Sequence, residues 1–200
     1  MRMNAYVAGV GMSKFGKHLD KTLKGLAGEA IQMALHDAGL DKSDIQAAWM
    51  GNAAAGVVTG QEMIRGEVAL RALGIGKIPV INVENACSSS AAAFRLACLA
   101  VAAGVHEHAL VVGVEKLSHL GSGPLPLGDE DIEVSNGLNM PALYAMRAGR
   151  YMHEHGLCPE QLALVAVKAR RHGLLNPYAQ VRSETTVEAV LASRPIASPL

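Results

Sequence analysis

Among the 200 residues, one cysteine stands in a setting that suits nucleophilic chemistry. Cys87 lies within "NVENACSSSAAAF", between the β-branched run "IPVINVE" and a long alanine-rich stretch with helical character. In an open α/β sheet, ligands bind beyond the carboxyl ends of strands, where the helices begin. A helix N-terminus carries roughly half a positive charge and favours the thiolate of a cysteine placed there. Its first N–H groups have no helical partners and can be presented to an oxyanion. The position therefore offers a nucleophile and part of an oxyanion hole. Ser88, Ser89 and Ser90, followed by alanines, keep the first turns thin enough for a thioester carbonyl or a neighbouring chain to approach the backbone closely. The same residues also suit an inert packed thiol, with Asn85 and the serines simply capping the helix.

The other reactive side chains suggest less. Cys98 and Cys158 complete an odd set of three without CxxC spacing, so neither a disulfide framework nor a zinc site is indicated. On a shared helix, Cys87 and Cys98 would stand about 16 Å apart along the axis and could not bridge. Eight histidines include two "HEH" triplets, at His106–His108 and His153–His155. Helical residues two apart diverge by about 200°, so the second pair cannot chelate one ion. The first falls at a helix-to-strand turn, and no HExxH is present; no metal site is expected. Lys168, Arg170, Arg171 and His172 form a basic run near a helix end, where cations are favoured. The acidic "GDEDIE" (Asp129, Glu130, Asp131, Glu133) reads as a solvated loop. Gly9 and Gly11 do not make a GxGxxG dinucleotide motif, because Lys14 follows.

Half of the residues are hydrophobic and 18% are charged, as in a globular chain with a real core. Acidic and basic residues balance at 18 each, so no overall charge draws the protein to nucleic acid or a membrane surface. The N-terminus lacks a signal-peptide core, and no apolar run is long enough to span a bilayer. Unpaired thiols fit a reducing compartment, and a cytoplasmic protein is expected.

These residues must be positioned by alternating elements. "NAYVAGVG" reads as a short buried strand, followed by a helix over 22–38 whose apolar positions recur at i, i+3 and i+4. "DIQAAWMGN" is strand-like and "GQEMIRGEVALRALGI" helical, ending at Gly74. "IPVINVE", a helix over 87–103 and the apolar strand "HALVVGVE" complete the series. Strand and helix alternate four times, the mark of a mostly parallel sheet covered by helices. The runs "VINV" and "ALVVGV" suggest strands buried on both faces. After Glu115 the chain turns rich in Gly, Pro, Ser and acids, and then helical at about 142–154, 159–172 and 186–192. Two domains are expected: 1–117, bearing the cysteine, and a mostly helical cap over 118–200.

The run "VINVENACSSSAAAFRLACLAVAAGVHEHALVVGVEKLS" resembles the nucleophile region of the thiolase superfamily. The later stretch from "RYMHEHGLCPEQLALVAVKARRHGLLNPYAQ" is similar to the loop domain of the sterol-carrier-protein-type, or lipid-transfer-protein, thiolases. The opening "AYVAGVGMSKFGK" is similar to how that branch begins, so the likeness extends over essentially the whole chain. The resemblance implies an α/β thiolase-like βαβαβαβ half-fold with a helical loop domain. It also implies an acyltransferase that cleaves or forms 3-ketoacyl-CoA thioesters, with Cys87 as nucleophile and its own N–H in an oxyanion hole. Coenzyme A would be a substrate, with no further cofactor. The family's acid/base His and Cys motifs belong to a second half, expected beyond these residues or on a partner chain, so the 200 residues alone are expected to be incomplete and inactive although the parent protein is an enzyme. On the same analogy, Met140 at the start of a helix would line the acyl pocket, and Lys168, Arg170, Arg171 and His172 would meet the CoA phosphates. The resemblance further implies a homodimer through strand 78–83 and an OB-fold (DUF35-type) partner protein. Rival expectations are a ketosynthase- or HMG-CoA-synthase-like condensing enzyme, or a non-catalytic acyl- or lipid-binding scaffold.

Overall fold

The computed structural model describes residues 4–120, 125, 128 and 130–200, which fall into two compact units. The first comprises Met1–Ser13 with Lys17–Gly121, and the second Lys14–Gly16 with Ser122–Leu200.

In the first unit a parallel three-stranded sheet has the order β2–β1–β3, formed by β1 (Ala47–Gly51), β2 (Val80–Val83) and β3 (Ala109–Gly113). Trp49 sits opposite Ile81 on one side and Val111 on the other, which fixes both registers. Helix α1 (Leu23–Ala38) begins where Thr22 Oγ1 accepts the Gly25 N–H and ends at Gly39 in a left-handed conformation. The short helices α2 (Ala55–Thr59) and α3 (Arg65–Arg71) follow β1, and α4 (Ser89–Ala102) joins β2 to β3.

Alternation along β1 splits the core between the two faces of the sheet. Ala48 and Met50, with Leu110 and Val112, pack against Ile31 and Leu35 of α1 and Ala69 and Leu70 of α3. Ala47 and Trp49 face Ala93 and Ala97 of α4 on the other side. The result is three layers with helices on both faces. Ile31 is 2% exposed in the first cluster, so Ile31→Ala is expected to cost about 3 kcal/mol, read as a lower urea midpoint. Ile132→Ala, at a residue 75% exposed, should change stability by less than about 0.5 kcal/mol.

Three expectations are corrected. Residues 4–11 form no strand, because strands exist only by lateral pairing and this segment belongs to no ladder. It is held instead by the Val10 N–H on the Asp37 carboxylate at 2.8 Å and by Gly9 lying tight on α1. A Cβ on Gly9 would stand 2.5 Å from the Ala34 carbonyl oxygen. The helix expected from Gly60 begins only at Arg65, after Ile64 at φ +49°, and the unforeseen α2 fills part of the gap. Among the described residues, β1 is the strand buried on both faces; β2 and β3 are more open because they are the two edges of the sheet.

The second unit is helical, with α5 (Ile132–Ser135), α6 (Met140–His155), α7 (Pro159–Leu175) and α8 (Val187–Leu191). Asp131, Asn139 and Thr186 cap α5, α6 and α8 through side-chain oxygens, so Asp131 of the acidic run has a structural role. Asp129 lies outside the described residues. Cys158 is the N-cap residue of α7. Glu160 accepts a hydrogen bond from the Cys158 thiol and another from its own backbone N–H, which together hold its carboxyl below the usual glutamate range.

Candidate nucleophile site

The Cys87 turn is built from the end of β2. After Val83 the chain makes a single 3-10 turn, Ala86–Ser88, and only at Ser89 does α4 begin. Cys87 therefore sits in the turn that leads into α4, two residues before the α-helix, rather than in the helix's own first turn. The expected helix over 87–103 is shortened accordingly, because residues 86–88 form a 3-10 turn and Ser88, at φ −96° and ψ 5°, is not α-helical; Ala86 before it stands at φ +46°. Left-handed backbone at a non-glycine residue costs roughly 1–2 kcal/mol, so the surrounding contacts must hold it.

Those contacts are on either side of the cysteine. Ser89 is 3% exposed, and its hydroxyl donates to the Ala86 carbonyl at 2.7 Å while accepting the Asn85 N–H at 2.9 Å. The Glu84 carboxylate accepts the Ala86 N–H at 2.6 Å. The Ser88 and Ser89 N–H groups bond to the carbonyls of Asn85 and Ala86. Among the described residues, no acceptor meets the N–H of Cys87. Cys87 is itself exposed, with a free thiol, as the packed-thiol reading would not require. The three serines thus divide their roles. Ser89 ties the turn, Ser88 makes no capping bond, and Ser90 faces Gly51 and Gly113 at the ends of β1 and β3.

A polar network that the sequence reading did not find joins the same ends of the strands. Asn52, 2% exposed, donates from Nδ2 to the Val114 carbonyl at 2.6 Å. Its Oδ1 accepts from the Ala55 N–H at 2.9 Å and from Arg65 Nη1 at 3.1 Å. Asn82 accepts the Gly66 N–H at 2.7 Å and donates to Glu67 at 2.7 Å. Glu115 accepts the N–H groups of Ala53 and Ala54. A hollow of about 190 Å³ lies among Asn52, Arg65, Asn82 and Glu84, beyond the carboxyl ends of β1 and β2. Position just past a strand was the signal available for Asn52 and Glu115, but their partners are far away in sequence. A larger, apolar cavity of about 430 Å³ lies between residues 5–11, α1, α4 and β3; Ser90 lines it and Cys87 does not.

The remaining sequence candidates lie in the second unit. Met140 is the half-buried first residue of α6. The basic run falls within α7, which continues past it to Leu175; Arg170 donates to Ser183 Oγ at 3.1 Å, and Lys168, Arg171 and His172 are exposed. One histidine of each triplet packs on an aromatic ring. His106 meets the Trp49 ring edge-on and His155 packs on Tyr151. Among the described residues no group of three or more potential ligands could hold a metal ion, and no helix is long and apolar enough to cross a membrane.

The first unit is thus a parallel α/β sheet covered by helices on both faces, with an exposed cysteine at a strand-to-helix turn. Residues 5–189 match the model of the thiolase N-terminal domain, and the chain belongs to that family. It is 41% identical, over its full length, to the benzoylsuccinyl-CoA thiolase subunit BbsB of Thauera aromatica, covering 51% of that protein. It is 39% identical to an acetyl-CoA acetyltransferase of Methanocaldococcus jannaschii, matching 97% of this chain and 50% of that one. Among solved structures, an Ltp2–ChsH2(DUF35) aldolase superposes with TM-score 0.78 at 31% identity, over 96% of this chain and 50% of the other. Human mitochondrial 3-ketoacyl-CoA thiolase in complex with CoA shares the fold, with TM-score 0.74 at 20% identity over 96% of this chain and 57% of the other. The chain spans about half the length of the curated relatives it matches.

Proposed function

We propose that this chain supplies the nucleophile half of a thiolase-type acyltransferase acting on 3-ketoacyl-CoA thioesters. The observation that carries the reading is the exposed Cys87 thiol on a clamped turn at the head of α4, with its own N–H unspent. In the degradative direction the Cys87 thiolate attacks the keto carbon, and the bond between C2 and C3 breaks. The acyl group passes to Sγ, and the acetyl-CoA carbanion takes a proton from an acid outside the groups described here. A CoA thiolate then attacks the acyl-cysteine, releasing the shortened acyl-CoA and restoring Cys87. The Cys87 N–H is suited to meet the oxyanion of each tetrahedral intermediate.

The names of the curated relatives favour this reading over a ketosynthase-like enzyme or a passive scaffold. CoA enters as substrate, with Met140 in the acyl pocket and Lys168, Arg170, Arg171 and His172 toward the CoA phosphates. The boundary between a cysteine-bearing domain and a helical cap falls at about residue 117. β2 is an edge strand, which supports a homodimer formed by pairing 78–83 across a twofold axis. The aldolase neighbour, named with a DUF35 protein, supports an OB-fold partner of that type. It also favours a second reading, a retro-aldol cleavage at the same fold, which requires no acyl-cysteine. Three free cysteines suit a cytoplasmic setting.

Mass spectrometry after mixing the whole enzyme, with its acid/base half present, with acetoacetyl-CoA separates these readings. An acetyl adduct confined to the Cys87 peptide is expected. Iodoacetamide should in addition modify Cys87 ahead of Cys158, which is also exposed and at a helix N-terminus. Folded protein with no adduct, and with Cys87 alkylated no faster than Cys158, would overturn the nucleophile reading.

A further inference from the structure

We propose that Ser89 is a positioning residue for Cys87, acting through the backbone on either side of it. The inference rests on the nucleophile reading above and deepens it. Ser89 is almost completely buried, yet among the described residues its hydroxyl has no side-chain partner; both hydrogen bonds described for it go to the turn that carries the cysteine. It accepts the N–H of Asn85, two residues before Cys87, and donates to the carbonyl of Ala86, immediately before it. The hydroxyl therefore closes the chain upon itself across the cysteine, and it sits on the rigid side of that closure. Its main chain is packed against β1, where a Cβ on Gly51 would meet the Ser89 carbonyl carbon at 2.8 Å.

The geometry being held is a costly one. Ala86 occupies left-handed backbone at φ +46° without being glycine, and a relaxed turn would return it to φ below zero. That rotation would turn the Ala86–Cys87 peptide, swinging both the thiol and the Cys87 N–H away from their present directions. Glu84 opposes the same rotation from the other side by holding the Ala86 N–H at 2.6 Å. Ser89 is the stronger of the two clamps, because it is buried and Glu84 is exposed. An ordinary N-cap serine would instead accept an N–H two or three residues further along the helix. Ser89 reaches backwards, toward the cysteine.

The test is Ser89→Ala in the whole chain, read by the iodoacetamide rates of Cys87 and Cys158 across a range of pH. Misplacing a reacting group by about an ångström costs up to about a hundredfold. The Cys87 rate is expected to fall by about tenfold in S89A, with the Cys158 rate and its pH profile unchanged. Circular dichroism and continued protection of half-buried Cys98 would show that the fold survives. Where acyl transfer is measurable, kcat should fall with KM little altered. An unchanged Cys87 rate in folded S89A overturns the proposal while leaving Cys87 as nucleophile. A wild-type Cys87 no faster than Cys158 overturns the underlying reading instead. If S89A does not fold, Glu84→Ala against Glu84→Gln decides. Both remove the charge, and only alanine removes the acceptor for Ala86, so a lower Cys87 rate in E84A alone supports the clamped turn. Equal rates in E84A and E84Q overturn it.

Discussion

On the proposed reading, Cys87→Ala is expected to abolish covalent acylation and, in the whole enzyme, to lower turnover of 3-ketoacyl-CoA by about 10⁴-fold or more, the scale seen when a covalent nucleophile is removed. The loss should be chemical rather than structural. Cys87 is exposed and its side chain carries none of the bonds that hold the turn, which run through Glu84, Ser89 and the backbone. Replacing such a surface side chain changes stability by less than about 0.5 kcal/mol. The thermal midpoint of C87A should therefore stay with the wild type while the acyl adduct disappears from the mass spectrum. Cys98→Ala and Cys158→Ala should keep the adduct. Persistence of acylation in C87A, on any residue and at the wild-type rate, would sink the assignment.

The largest effect on stability is expected from Gly51→Ala. Gly51 ends the central strand, and a Cβ there would stand 2.6 Å from Ser90 Cα, 2.7 Å from Ser90 N and 2.8 Å from the Ser89 carbonyl carbon. All three are backbone atoms at the start of α4, so no side-chain rotation relieves the clash. β1 is buried along its whole length between two neighbours and cannot retreat either. Overpacking of this kind costs about 3 kcal/mol, which in a chain of this size lowers the melting temperature by roughly 6–12 °C. The displacement would fall on Ser89 and hence on the Cys87 turn, so the alkylation rate of Cys87 should drop as well. Gly76→Ala is the control: nothing lies within 4 Å of its added Cβ. Equal melting temperatures for G51A and G76A would show that α4 does not rest on the strand end as described.

The main elements could be read because their causes are local. The 3.6-residue recurrence of Leu26, Ile31 and Leu35, bounded by Thr22 and Gly39, marks α1, and these residues are the ones buried. Capping by Asn139 and Thr186 likewise places the starts of α6 and α8 within a few residues of where periodicity alone puts them. Elements whose existence depends on a neighbour were misread. Residues 4–11 have strand-like composition but no partner in the sheet. "VINV" has the apolar character of a central strand, yet it lies at an edge.

By itself, the sequence determined the alternating α/β plan, the cysteine between strand and helix, and the likeness to thiolases that the family match bears out. Those features depend on short-range periodicity and on residues close together in the chain. Only the tertiary structure decided that Cys87 is exposed, that Ala86 bends left-handed before it, and that one of three adjacent serines holds the turn. It also decided that Asn52, Arg65 and Glu115 join the strand ends into one polar network. The physical reason is the same in each case. A hydrogen bond across 62 residues, or a glycine pressed on a helix start, depends on where packing brings the backbone. Ser88, Ser89 and Ser90 are chemically identical until α4 settles on β1 and buries one of them.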